Sequence, residues 1–249
     1  MRLEINTPRA KRNRRFANIL TLLSIPVIFF SFFLVNPNLI ADAVGDPAAG
    51  TLVAIVALLT TLAIVITAVK MTNKWVRPPR PENALKDGLK GVSNKSVLYC
   101  YYHKQAEHIL VTQQGIFPII IRFQDGRFTV TNDKWQTHKT IPGKLLGLFR
   151  FEGLGDPNSD AEKAIQYVKG LLTEDIGDVP IQPIIVFIHP SANVTIEDPS
   201  VPVVFADSKK KPNIKEYIRQ FNKTAAADES SKRLNTAQME ALEKAIVSP

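Results

Sequence analysis

Four histidines, one cysteine and one regularly spaced basic stripe are the side chains of this 249-residue chain on which chemistry would first draw. His103, His108, His138 and His189 contain no pair four residues apart and no cysteine at zinc spacing, so they do not read as a metal site. His103 and His108, near the start of a β-prone run, come closest to a pair. Cys100, between Tyr99 and Tyr101, excludes an internal disulfide and a thiolate cluster and reads as a packed thiol. No glycine-rich loop closes on Lys-Ser or Lys-Thr, and no Gly-x-Ser-x-Gly elbow occurs, so the sequence has neither a phosphate-loop nor a serine-hydrolase motif. Behind Lys209 and Lys210, Lys211, Lys215, Arg219 and Lys223 recur every four residues, with Ile214, Tyr217, Ile218 and Phe221 on the other side. Such a helix suits anionic lipid headgroups, or the phosphates of DNA or RNA without sequence readout. A solvated face opposite a packed one has the same pattern.

The elements that would carry these residues divide the chain by charge. The formal charge is +8, yet residues 16–69 contain no Lys or Arg and only Asp42 and Asp46 as acids. A wholly soluble protein does not segregate charge in that way. Phe16–Val35 and Ala48–Val69 are uncharged runs of 20 and 22 residues, each long enough at helical rise to cross a hydrocarbon core of about 30 Å. Pro26 would kink the first without forbidding it. The spacing predicts a basic N-terminus over 1–15, transmembrane helices over 16–35 and 48–69 with a short external loop 36–47, and a basic Pro-rich linker 70–81. Arg9, Lys11, Arg12, Arg14 and Arg15 before the first span, and Lys70, Lys74, Arg77 and Arg80 after the second, place both termini in the cytoplasm by the positive-inside rule. Ala41-Asp42-Ala43 resembles a signal-peptide cleavage site, but a 20-residue run exceeds the usual apolar core of about 7–15 residues. The lipid bilayer is therefore the first expected partner of an integral, multi-pass protein, and the protein partner is left open.

After the stiff segment Arg77-Pro78-Pro79-Arg80-Pro81, residues 82–249 read as an α/β domain with a mixed sheet. Leu85, Leu89 and Val92 suggest a helix over Glu82–Gly91, and Val97–Tyr102 is β-prone. His108–Thr112, Ile116–Phe123 and Phe128–Thr131, separated by Gly turns, predict an antiparallel meander, with Pro118 marking an edge strand or a bulge. A looser Gly-rich region, Pro142–Gly155, follows. Ser159 and Glu162 have capping-box spacing before Ala164, Ile165, Val168, Leu171 and Leu172 on one helical face. Ile184–Ile188 and Val201–Phe205 read as buried strands, and Asn213–Phe221 and Thr236–Val247 as terminal helices separated by the polar stretch Thr224–Arg233.

The segment Glu107-His108-Ile109-Leu110-Val111-Thr112-Gln113-Gln114-Gly115-Ile116-Phe117, continuing through Ile119-Ile120-Ile121-Arg122 to Asp125-Gly126-Arg127, resembles the central motif of the nuclease-related domain (NERD) family, a branch of the restriction-endonuclease-like superfamily. The later Leu154-Gly155-Asp156-Pro157, the helix after it and two strands follow in the family's order, so the resemblance covers about residues 86–222. It implies a restriction-endonuclease-like fold and, in the family, metal-dependent cutting of nucleic acid.

The positions that should perform that chemistry depart from the family's pattern. The first acid falls at Glu107, which keeps its carboxylate, but the acid of the second strand falls at Ile120 and its Lys at Arg122. The family's Asn-Pro and following Gln appear as Asp156-Pro157 and Asp160, and an expected helix glutamate is replaced within Gly91–Lys95, which carries no acid. Phosphodiester hydrolysis of this kind needs Mg²⁺ or Mn²⁺ held by carboxylate oxygens. Ile120 supplies none, and Arg122 cannot act as a base because its pKa stays above about 12. The expectation is a pseudoenzyme without a metal or other cofactor, a binding or scaffolding module at the membrane. The alternative is a metal-dependent nuclease using Glu107 and relocated acids among Asp125, Glu152, Asp156 and Asp160.

Overall fold

The computed structural model describes residues 1–34, 42, 45–138, 153–172, 179–228 and 233–248. Two compact units emerge, one of Met1–Arg9, Pro79–Leu145 and Gly153–Pro249, the other built on Ala10–Pro78.

The second unit is a pair of helices, α1 (Thr7–Leu34) and α2 (Pro47–Trp75), both long and apolar enough to cross a membrane. Leu22 and Phe32 are 70% and 74% exposed, part of a wide apolar surface of the kind a lipid-facing helix presents. On α1, Ala10, Ala17 and Ser24 are buried at seven-residue spacing, and on α2 Gly50, Ala54 and Ala68 are buried, small residues of the kind that let helices approach closely. The hydroxyls of Thr21 and Thr72 meet at 2.6 Å. Hydropathy alone begins the first helix at Phe16, but helical hydrogen bonding runs back through the basic flank to Thr7. Val35 and residues 36–41, 43 and 44 of the connector lie outside the described residues, and with them Ala41 and Ala43 of the cleavage-like motif.

The first unit is α/β. Its six-stranded sheet has the order β1 (Arg2–Ile5), β2 (Val97–Cys100), β3 (His108–Val111), β4 (Ile116–Arg122), β7 (Ile184–Phe187), β9 (Val203–Phe205). Only β3 runs against the others. Helices α3 (Pro81–Gly88) and α5 (Ile214–Ala227) cover one face through Leu85, Leu89, Ile214 and Ile218. Helices α4 (Pro157–Leu171) and α6 (Thr236–Val247) cover the other, where Ala161, Ala164, Val168, Leu242 and Ile246 join Ile109, Ile120, Ile185 and Phe205 in the main core. A smaller sheet has β5 (Gly126–Thr131) between β6 (Lys134–His138) and β8 (Ala192–Glu197).

Several expectations are corrected. The meander stops after its first hairpin, because β4 already pairs with β3 on one edge and β7 on the other, so β5 joins the smaller sheet instead. Pro118 lies opposite Ile109 in this central strand, not at an edge; toward β7 it falls between the Ile116–Ile181 bridge and the pairing that begins at Ile119–Ile184. Helix α4 opens at Pro157 with Asp156 as its cap, accepting from the Ser159 N–H at 3.1 Å, so Ser159 already sits in the first turn. Helix α5 runs six residues past Phe221 to Ala227, while α6 has the expected bounds and a full capping box of Asn235 and Gln238. Residues 142–152 of the Gly-rich region fall outside the described residues. Strand β1, within the stretch read as a basic tail, was not anticipated, nor were β6 and β8.

Candidate functional site

Strand alternation places the motif residues on the face that α4 covers. Ile120 and Arg122 are two apart on β4, and Glu107 precedes β3, where one further step of the His108–Ile119 register would set it opposite Ile120. Ile120 is buried in the core. The Arg122 side chain is 10% exposed, and its Nη2 donates to the Asp160 carboxylate at 2.6 Å, while Nη1 donates to the Ile121 carbonyl at 3.1 Å. Asp160 stands in the first turn of α4, where a carboxylate also suits the helix dipole, and its side chain is half exposed. Gln124, also buried, donates from Nε2 to the Gly153 carbonyl at 2.9 Å. The Arg122 Nε and the Gln124 Oε1 have no hydrogen-bond partner among the described residues.

The structure thus brings Arg122 and Asp160 together. The Glu107 carbonyl accepts from the Tyr101 N–H at 2.6 Å. Asp156 is spent on its cap, Asp125 lies in the turn before β5, and Glu152 lies outside the described residues. Among the described residues no three His, Cys, Asp or Glu side chains converge. This donor set does not fit Mg²⁺ or Mn²⁺, because the nearest carboxylate to the strand arginine is already held by a guanidinium and Ile120 adds no oxygen.

The histidines likewise have separate, structural places. His103 Nε2 donates to the Ile246 carbonyl at 2.8 Å and its Nδ1 accepts from the Tyr167 hydroxyl at 2.7 Å, joining α6 to α4; burial lowers its pKa, with the nearby Arg9 charge adding to the effect against the Ile246 bond. His108 is buried edge-to-face on Tyr101, with ring centroids 4.9 Å apart. His138 Nε2 meets the Thr129 hydroxyl at 2.8 Å, and His189 Nδ1 accepts from the Ser191 N–H at 3.2 Å. Burial pushes the Cys100 thiol well above its ordinary value, as expected of a packed rather than a reactive thiol.

The residues of the basic stripe differ in setting: Lys211 precedes α5 and its cap Asn213, while Lys215, Arg219 and Lys223 lie on the helix. Lys211 and Lys223 are exposed, Lys215 is half-buried, and Arg219 Nη2 donates to the Gly91 carbonyl at 2.8 Å, tying α5 to the turn after α3. Opposite them Phe221 stacks edge-to-face on Phe117 at 4.9 Å. A corner that the sequence did not signal lies where β2 ends. There the Tyr101 hydroxyl donates to the buried Glu82 carboxylate at 2.6 Å, and the Arg9 guanidinium donates to the carbonyls of Tyr101 and Tyr102 at 3.2 and 2.8 Å. None of these residues has periodicity or motif spacing that could have marked it.

Comparison with family models, with curated proteins and with solved structures finds no match to this chain.

Proposed function

We propose that this chain is a multi-pass membrane protein whose six-stranded domain acts in the cytoplasm as a binding or scaffolding module, on a restriction-endonuclease-like framework resembling the nuclease-related domain family but without nuclease activity. The observation that carries this reading is the 2.6 Å ion pair of Arg122 and Asp160. Where the family has a Lys and a Gln facing a metal-bound phosphodiester, two opposite charges neutralise each other and pin α4 to β4. The site has become an internal clasp.

The membrane topology is supported by β1. This strand precedes α1, yet it pairs in parallel with β2, which follows α2. A chain that crosses a bilayer twice returns to the side it left, so two spans allow this pairing and a single span would forbid it. The basic flanks make that side the cytoplasm. The same pairing favours retention of the first helix, because cleavage near Ala41 would remove a strand from the sheet.

One observation favours the second reading, a metal-dependent nuclease: Arg122 and Asp160 meet on one side of the sheet, and the His108–Ile119 register continued by one residue would bring Glu107 opposite Ile120. The full-length chain in detergent, incubated with supercoiled plasmid and single-stranded oligonucleotide in Mg²⁺ or Mn²⁺, decides between them. No cleavage is expected. Metal-dependent nicking that disappears in Glu107→Ala would establish the nuclease.

A further inference from the structure

The chain leaves and re-enters the six-stranded domain at one corner. On the way out, the Asn6 N–H donates to the Cys100 carbonyl at 3.0 Å, and Arg9 holds the Tyr101 and Tyr102 carbonyls. On the way back, Glu82 in the first turn of α3 accepts from the Tyr101 hydroxyl. All these contacts lie at the carboxyl ends of β1 and β2. Helix α3 then crosses the same edge of the sheet, since a Cβ at Gly88 would run into the Ala206 carbonyl at the end of β9. The attachment corner, α3 and the loop that follows β9 therefore share one edge.

That loop is Asp207-Ser208-Lys209-Lys210-Lys211. Lys210 folds back, donating to the Ala192 carbonyl and lying 5.1 Å from the Phe205 ring centroid. The Asp207 carboxylate accepts from the Lys209 N–H at 2.9 Å, which orders the turn and leaves the Lys209 and Lys211 ammonium groups exposed. Beyond Lys211 the basic stripe descends toward the opposite edge. Phe221 packs on Phe117, and Asn222 accepts from the Thr112 hydroxyl at 3.2 Å, both at the start of β4, so Lys223 lies at the far end of the domain.

We propose that the carboxyl edge of the sheet rests, through Lys209 and Lys211, on the anionic headgroups of the leaflet next to it, and that the Lys223 end of the stripe does not. This rests on the same-side topology proposed above. Charge and tether length both point to lipid. The five residues Val76–Arg80 that join α2 to α3 reach at most about 18 Å when extended, so α3 begins within that distance of the last turn of α2. Exposed lysines within a Debye length of an anionic leaflet are attracted to it.

The test uses the full-length chain in nanodiscs of phosphatidylcholine, with and without phosphatidylglycerol, read by amide hydrogen exchange. Addition of the anionic lipid is expected to slow exchange over residues 207–213, with protection falling on the order of fivefold for each lysine removed in Lys209→Gln and Lys211→Gln. Lys223→Gln should leave that protection intact. Exchange that is unchanged by the anionic lipid, or slowed only around Lys223, would overturn the proposal. So would protection of the loop by a short DNA duplex in neutral discs but none by anionic lipid, which would assign the lysines to nucleic acid. A chain extracted from membranes by alkaline carbonate would instead count against the topology, so the two failures are separable.

Discussion

The Arg9 guanidinium donates to the Tyr102 carbonyl at 2.8 Å, joining residues 93 apart in sequence that flank the two apolar helices. The same corner holds Tyr101 at φ 68°, a left-handed conformation that costs an L-residue on the order of 1–2 kcal/mol. It is fixed there by three groups at once: the Glu107 carbonyl, the Glu82 carboxylate and Arg9. The corner is therefore determined jointly by segments on either side of the hairpin.

Arg9→Ala should lower the unfolding free energy by about 2 kcal/mol, because it removes hydrogen bonds from a charged donor in a half-buried place. Deleting Met1–Asn6 should cost more, since it strips a paired strand from the sheet and also removes the salt bridge of Arg2 with Glu243 on α6. Denaturant unfolding of the full-length chain in detergent, followed by the fluorescence of Trp135, measures both. An unchanged midpoint after the deletion would mean that β1 does not hold the fold.

The clasp of Arg122 and Asp160 predicts an asymmetry between its partners. Asp160→Ala leaves a buried guanidinium with one hydrogen bond fewer and no counter-charge, which should cost about 1–3 kcal/mol, the half-exposed carboxylate keeping it below the value for a fully buried pair. Arg122→Met removes the buried charge and keeps its volume, leaving only a half-exposed Asp160 that water can solvate, so it should be the milder change. Equal losses in denaturant unfolding would mean that the pair is not acting as a clasp.

What the sequence disclosed follows the range of the interactions involved. Apolar runs marked both long apolar helices, and short, largely apolar β-prone runs marked β2, β3, β4, β7 and β9, because burial on both faces leaves a local signature. Strands β1 and β8 carry charges at Arg2, Glu4 and Glu197 and owe their state to partners distant in sequence, Val97–Cys100 and Gly126–Thr131. Gly turns between runs suggested a meander, but which strand takes the free edge of β4 is decided by Ile184–Phe187, more than sixty residues later. The candidate site was legible only as positions along the chain, Glu107, Ile120, Arg122 and Asp160, with nothing in their spacing to say which of them meet. That Arg122 would choose Asp160, and that Glu82 would be buried under Tyr101, depended on side-chain geometry across elements that no spacing encodes.

His103 makes stability depend on pH with a definite sign. Its Nε2 donates to Ile246 and its Nδ1 shares a hydrogen bond with the Tyr167 hydroxyl, which can turn to accept when the ring is protonated, so it is burial and the nearby Arg9 charge that oppose the charged form. Burial, the largest cause, holds the folded-state pKa below the ordinary histidine value of 6.5. The unfolded chain therefore binds a proton that the folded chain does not, so stability rises with pH across the interval between the two pKa values. The contribution is fully present above the unfolded value and is progressively lost as the pH falls from about 6.5 toward the folded value. Thermal unfolding of the full-length chain between pH 8 and pH 5 should show this fall, with the junction of α4 and α6 opening first by hydrogen exchange. His103→Gln should flatten it, because an amide can donate to Ile246 and accept from Tyr167 without titrating. A slope of the same size in that variant would assign the pH dependence to other groups and leave His103 as a neutral brace.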